Sequence, residues 1–187
     1  MKADSRQIKT SWRGAFRRLC KDDSGATLVE FALVSPLFLV LLLGGLELGV
    51  LGMVSANFND AVQFASRQVR TGQADGPTTA AQYVNVICNR MVDGPSDCQS
   101  RIKVSVQPMA SFAAAGAQLT KQDGSGSLTG PGNGLTFNGG ASSQVMLVAA
   151  TFRWPLIVPF AESAFTHVSG TDVLITSRLV FKNEPYS

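Results

Sequence analysis

The side chains able to do chemistry are few, and their spacing says more than their number. Two carboxylates sit where carboxylates are costly: Glu30 at the edge of an apolar run and Glu47 inside it. A carboxylate among hydrocarbon needs a cationic or hydrogen-bonding partner, so each implies an interaction beyond its own segment. Cys88 and Cys98 lie ten residues apart, with Cys20 far upstream. In an oxidising compartment the pair is a disulfide candidate, two unpaired thiols being the alternative. His167 is the sole histidine. It has Glu162 and Asp172 nearby in sequence but no identifiable nucleophile, and it reads as a surface or hydrogen-bonded side chain. No GxSxG, HExxH or CxxC occurs, and GSGSLTGPGNG lacks the strand-turn-helix setting that phosphate binding needs. We therefore expect no enzyme, no catalytic residue, no metal and no cofactor. Phe152 and Trp154 read as core rather than as a ligand platform.

The elements around these residues are set by charge and hydropathy. The chain has 187 residues and a formal charge of +3. Seven basic and three acidic residues precede Gly25, so the positive charge belongs to the N-terminal tail. Basic arms bind nucleic acid in some proteins, but here a 24-residue apolar run follows, from Phe31 to Val54, with Glu47 its one charge. As a helix it spans about 36 Å, enough for a bilayer core of about 30 Å. It is too long for a signal-peptide core of about 7–15 residues. The alternative, a buried helix of a soluble domain, fails for want of segments to cover it. The basic flank predicts a cytoplasmic N-terminus, an exported remainder and no nucleic-acid partner.

Beyond Val54 the helix continues, with Phe58, Ala61, Val62, Ala65 and Val69 forming one stripe. Arg67, Arg70 and Gly72 mark its end. A second helix follows in TTAAQYVNVICNRMV, with Ala80, Val84, Ile87 and Met91 on one face and Thr78 or Thr79 as cap. The period then changes to two. RIKVSVQ turns Ile102, Val104 and Val106 to one side, evenly apolar QVMLVAATFRW reads as a central strand, and DVLITSRLVFKN alternates as a third. The fold class is α+β: a long N-terminal helix, membrane-spanning in its first half, and a periplasmic helix packed on an antiparallel sheet of about three strands. Residues 1–25 form a leader, 26–72 the long helix, and 73–187 a domain with a flexible Gly-rich loop at 113–143. That loop carries eight glycines and a short hairpin near Leu135-Thr136-Phe137. PLIVPFAESAF reads as an apolar connector lying on the membrane surface or a partner.

The stretch Gly25-Ala26-Thr27-Leu28-Val29-Glu30 at the head of the apolar run resembles a type IV prepilin processing site. GATLVEFALVSPLFLVLLLGGLELG resembles the N-terminal signature of TadE-like proteins of the tight-adherence (Tad) pilus system, including Pro36 and Glu47. FASRQVRTGQ, FRWPLIVPF and SRLVFKNEPY extend the similarity, as do the paired cysteines. The leader is longer than those of the system's major pilins, a length that suits TadE-like members. The resemblance implies a minor pseudopilin cut between Gly25 and Ala26 by a prepilin peptidase. It assigns Glu30 to subunit registration and suits a Cys88–Cys98 disulfide. The residues themselves give Gly44 and Gly45 as small steps for helix packing, Pro36 as a bend or a loosened backbone bond at an interface, and Glu47 as facing headgroups or a neighbouring helix. The implied partners are that peptidase, other minor pseudopilins, the major pilin, the inner-membrane assembly platform and the inner membrane itself. The competing reading is an uncleaved, signal-anchored periplasmic binding or scaffold domain.

Overall fold

The computed structural model describes residues 25–73, 76–91, 97–119, 135–156, 168–169 and 172–185. It divides into two compact units, one ending at Leu43 and the other running from Gly44 to the C-terminus.

Helix α1 covers Ala26–Arg70, with Pro36 inside it. In the first unit its apolar side chains are bare: Leu33 is 74% exposed and Phe31 70%. A helix of a soluble core would hide these side chains, and the described fold does not cover them. α1 is long and apolar enough to cross a membrane.

In the second unit α1 turns amphipathic, and the stripe read from the sequence is the buried one: Phe58, Ala61, Val62, Ala65 and Val69 all face the core. The helix ends in a Schellman turn. The Gly72 N–H bonds the Val69 carbonyl, the Gln73 N–H bonds the Gln68 carbonyl, and Gly72 holds φ at 58°. Helix α2 (Ala80–Arg90) is capped by Thr79, whose hydroxyl accepts the Gln82 N–H. It buries Tyr83, Val84 and Ile87. The short α3 (Cys98–Arg101) leads directly into β1 (Ile102–Met109).

The sheet has five strands in the order β2-β1-β3-β5-β4, with β2 at Thr136–Phe137, β3 at Val145–Pro155, β4 at Val168–Ser169 and β5 at Asp172–Lys182. The three long strands β1, β3 and β5 are antiparallel and β3 is central, as its even apolarity predicts. Ile102 opposes Phe152, which opposes Ile175; Val106 opposes Val148, which opposes Leu179. Side chains alternate across the pleat, so this register puts one apolar face of all three strands under α1 and α2. The Phe58 and Phe152 rings stack across that layer, 5.6 Å between centroids.

Three features differ from the sequence reading. The sheet gains two dipeptide edge strands. One of them, β2, pairs parallel with β1 rather than forming a hairpin, fixed by Thr136 Oγ1 on Ser105 Oγ at 3.0 Å and by the Asn138 N–H on the Val106 carbonyl. The stretch assigned to a flexible loop opens with a helix, α4 (Phe112–Leu119), whose N-terminus is capped by the Ser111 hydroxyl. Fully buried Ala115 seats α4 on the second face of the sheet, over β1, β3 and β5. Residues 120–134 and the connector from 157 to 165 lie outside the described residues.

Candidate functional site

The residues singled out by sequence do not converge on one pocket. Ala26, Glu30, Pro36, Gly44, Gly45 and Glu47 lie on α1, and Cys88 and Cys98 lie outside it. Gly25 immediately precedes the helix, and Ala26 and Glu30 share an exposed face one turn apart. A Cβ added at Gly25 meets nothing within 4 Å, so the described fold does not require glycine there. Pro36 lies one and a half turns beyond Glu30 and removes one backbone donor without interrupting the helix. These four residues belong to the first unit.

Gly44, Gly45 and Glu47 belong to the second. Cβ atoms added at Gly44, Gly45, Gly49 and Gly52 again meet nothing within 4 Å, which leaves this side of the helix open to close approach. Glu47 is only 7% exposed within the chain. Burial inside its own chain keeps the carboxylate out of hydrocarbon, where it would be costly.

Cys88, at the end of α2, is bonded to Cys98, the first residue of α3, with the Cα atoms 6.0 Å apart. The bond ties α2 to the entry of β1. Behind α2, the Tyr83 hydroxyl lies 2.6 Å from Ser66 Oγ and donates to the Val62 carbonyl at 3.3 Å. Burial pushes the Tyr83 hydroxyl well above its usual pKa, the Ser66 hydrogen bond drawing it partly back. Phe152 is core, and Trp154 packs against its ring. His167 lies outside the described residues, and no group of three or more His, Cys, Asp or Glu able to hold a metal occurs among them.

One feature was missed by sequence reasoning. An open groove of about 560 Å³ runs between α1 and the end of β5. Its wall carries Asp60, Phe64, Arg67 and Arg70 from α1 and Arg90 from α2, over Leu179 and Phe181 of β5. The α1 members recur at steps of three and four, a visible signal. Arg90 and β5 join them only through the tertiary fold.

Residues 25–67 match the family model described as TadE-like protein. The match opens on Gly25 and takes in Glu30, Pro36, Gly44, Gly45 and Glu47. The later patches of resemblance lie almost wholly beyond it. No curated protein and no solved structure matches the chain. Over this N-terminal segment the chain is similar to TadE-like proteins.

Proposed function

We propose that the protein is a membrane-anchored minor pseudopilin, cut by a prepilin peptidase between Gly25 and Ala26, that takes part in assembling or initiating the pilus. One observation carries this reading: Gly25, Ala26 and Glu30 stand on an accessible stretch at the head of a membrane-length helix, at the point where the family match begins. Cutting there frees an α-amino group on Ala26, mostly charged at neutral pH with a pKa near 8. Within one chain it lies a turn from Glu30. Between neighbouring chains, ammonium and carboxylate attract across hydrocarbon, which registers an incoming subunit. The basic leader stays in the cytoplasm and the second unit is exported through the inner membrane. A disulfide in that unit supports an oxidising compartment. The partners are then the peptidase, the major pilin, other minor pseudopilins and the assembly platform. The role is structural, with no catalytic residue assigned.

The test is the N-terminus of the protein isolated from its own host's membranes, read by intact mass and peptide mass spectrometry. A chain starting at Ala26, and still starting at Met1 in the Gly25→Ala variant, is the expected result. Since the added methyl meets nothing in the described fold, that loss reports on the peptidase and not on folding. A wild-type chain that keeps Met1 while the host processes its major pilin would sink the reading in favour of an uncut anchor.

A further inference from the structure

The groove between α1 and β5 has an unbalanced set of charges. Arg70 donates through Nε and Nη2 to one oxygen of Glu184, at 3.2 and 2.9 Å. Arg90 bonds Asp60 at 3.3 Å and lies over the Phe64 ring, 5.0 Å from its centroid. Each of these cations therefore has its own carboxylate. Arg67 lines the same groove from α1, exposed, and among the described residues it forms no ion pair. Beside it Phe64, which carries Arg90 over its ring, is still 41% exposed. A forked guanidinium next to a part-exposed ring, in a groove already flanked by oriented arginines, is complementary to a carboxylate carried on an apolar or aromatic segment.

Two sources of negative charge are conceivable beside a membrane, phospholipid and protein. The apolar run ends at Val54, and Arg67 lies 13 residues farther along the helix, about 20 Å. The headgroup layer is only about 6 Å deep on each side of the hydrocarbon core. The groove thus stands clear of lipid, at a height reached by the folded parts of neighbouring proteins.

From this we infer that the groove docks an acidic segment of a partner protein, a partner aspartate or glutamate pairing with Arg67 while an adjacent apolar side chain covers Phe64. The inference goes beyond the pseudopilin assignment and holds whether or not the chain is cut at Gly25.

The experiment replaces Phe64 with a photo-crosslinking phenylalanine analogue in the full chain, expressed in its host, with the same probe at exposed Phe112 of α4 as control. The crosslinked partner peptide is sequenced by mass spectrometry. The expected product is one defined peptide with an acidic residue within a few positions of the crosslink, absent from the Phe112 control. Arg67→Glu should lower its yield about tenfold, Arg67→Gln less, and reversing the partner's acidic residue to lysine should restore the yield with Arg67→Glu. Chain abundance and the Cys88–Cys98 bond, checked on non-reducing gels, report that the variants fold. Crosslinks to phospholipid, to a peptide without an acidic residue, or to nothing would overturn the inference. So would a yield indifferent to Arg67→Glu, or one not restored by the partner's charge reversal.

Discussion

Removing the Cys88–Cys98 bond gives the most direct reading of what holds the second unit together. The bond joins positions ten residues apart, the end of α2 to the start of α3. In the chain-entropy description, closing a loop of that size restricts the unfolded chain by about 9 cal/mol/K, which is about 2.7 kcal/mol at 25 °C. Against a typical total of about 5–15 kcal/mol, the unit should stay folded at room temperature while losing a large share of its margin. Cys98 is almost fully buried, so alanine is the better replacement; serine would add a buried hydroxyl and confuse the comparison. The assay is urea unfolding of the full chain in detergent, followed by Trp154 fluorescence in a Trp12→Phe background. The double variant Cys88→Ala/Cys98→Ala should lose between about 2 and 3.5 kcal/mol. Its denaturant slope should rise, because an uncrosslinked unfolded chain exposes more surface. Wild-type protein under a reductant should behave the same way. A loss below about 1 kcal/mol, or a full loss with an unchanged slope, would refute the argument, since the second outcome locates the effect in native contacts.

Further outcomes follow from the packing of the second unit. Phe152→Ala should destabilise the second unit by about 3–5 kcal/mol, because the ring is fully buried between Phe58 and Trp154; thermal unfolding checks it. Tyr83→Phe should cost about 1–2 kcal/mol through the hydroxyl's lost bonds to Ser66 and Val62. The same residue sets an alkaline limit. The folded state keeps Tyr83 protonated above pH about 10, where the unfolded chain releases the proton, so stability falls by about 1.4 kcal/mol per pH unit as pH rises further; Tyr83→Phe should remove that slope in urea titrations. Gly140→Ala should cost about 1–3 kcal/mol by thermal unfolding. Its φ of +68° disfavours a side chain, and the new Cβ would stand 2.5 Å from the Met146 sulfur.

How far the sequence carried depended on whether a feature repeats along the chain or assembles across it. The stripe from Phe58 to Val69 and the alternation in Ile102–Met109 and Asp172–Lys182 recur at the period of their own element, so each residue reports the same face and the core is legible. The membrane-length part of α1 is clearer still, because in lipid the demand falls on every residue. Helix α4 escaped for the opposite reason. Its run of alanines and a glycine carries no contrast between faces, and Ser111, a serviceable cap, sits in a stretch whose glycines argue for a loop. Extended structure near Leu135-Thr136-Phe137 was legible but its pairing was not, since a dipeptide has no period and its parallel partner lies 31 residues away in sequence. The groove falls between these cases. Asp60, Phe64, Arg67 and Arg70 mark one face of α1 in the sequence, yet the same pattern describes any solvated helix face. What makes it a surface with a preference is the neutralisation of Arg70 by Glu184 and of Arg90 by Asp60, two pairs contributed by residues 114 and 30 positions apart. Exposed ion pairs of this kind add little to stability, under about 1 kcal/mol each. Their effect is to fix the charges around Arg67 in place, which matters for recognition and hardly at all for folding, and so leaves no mark in the patterns from which a fold is read.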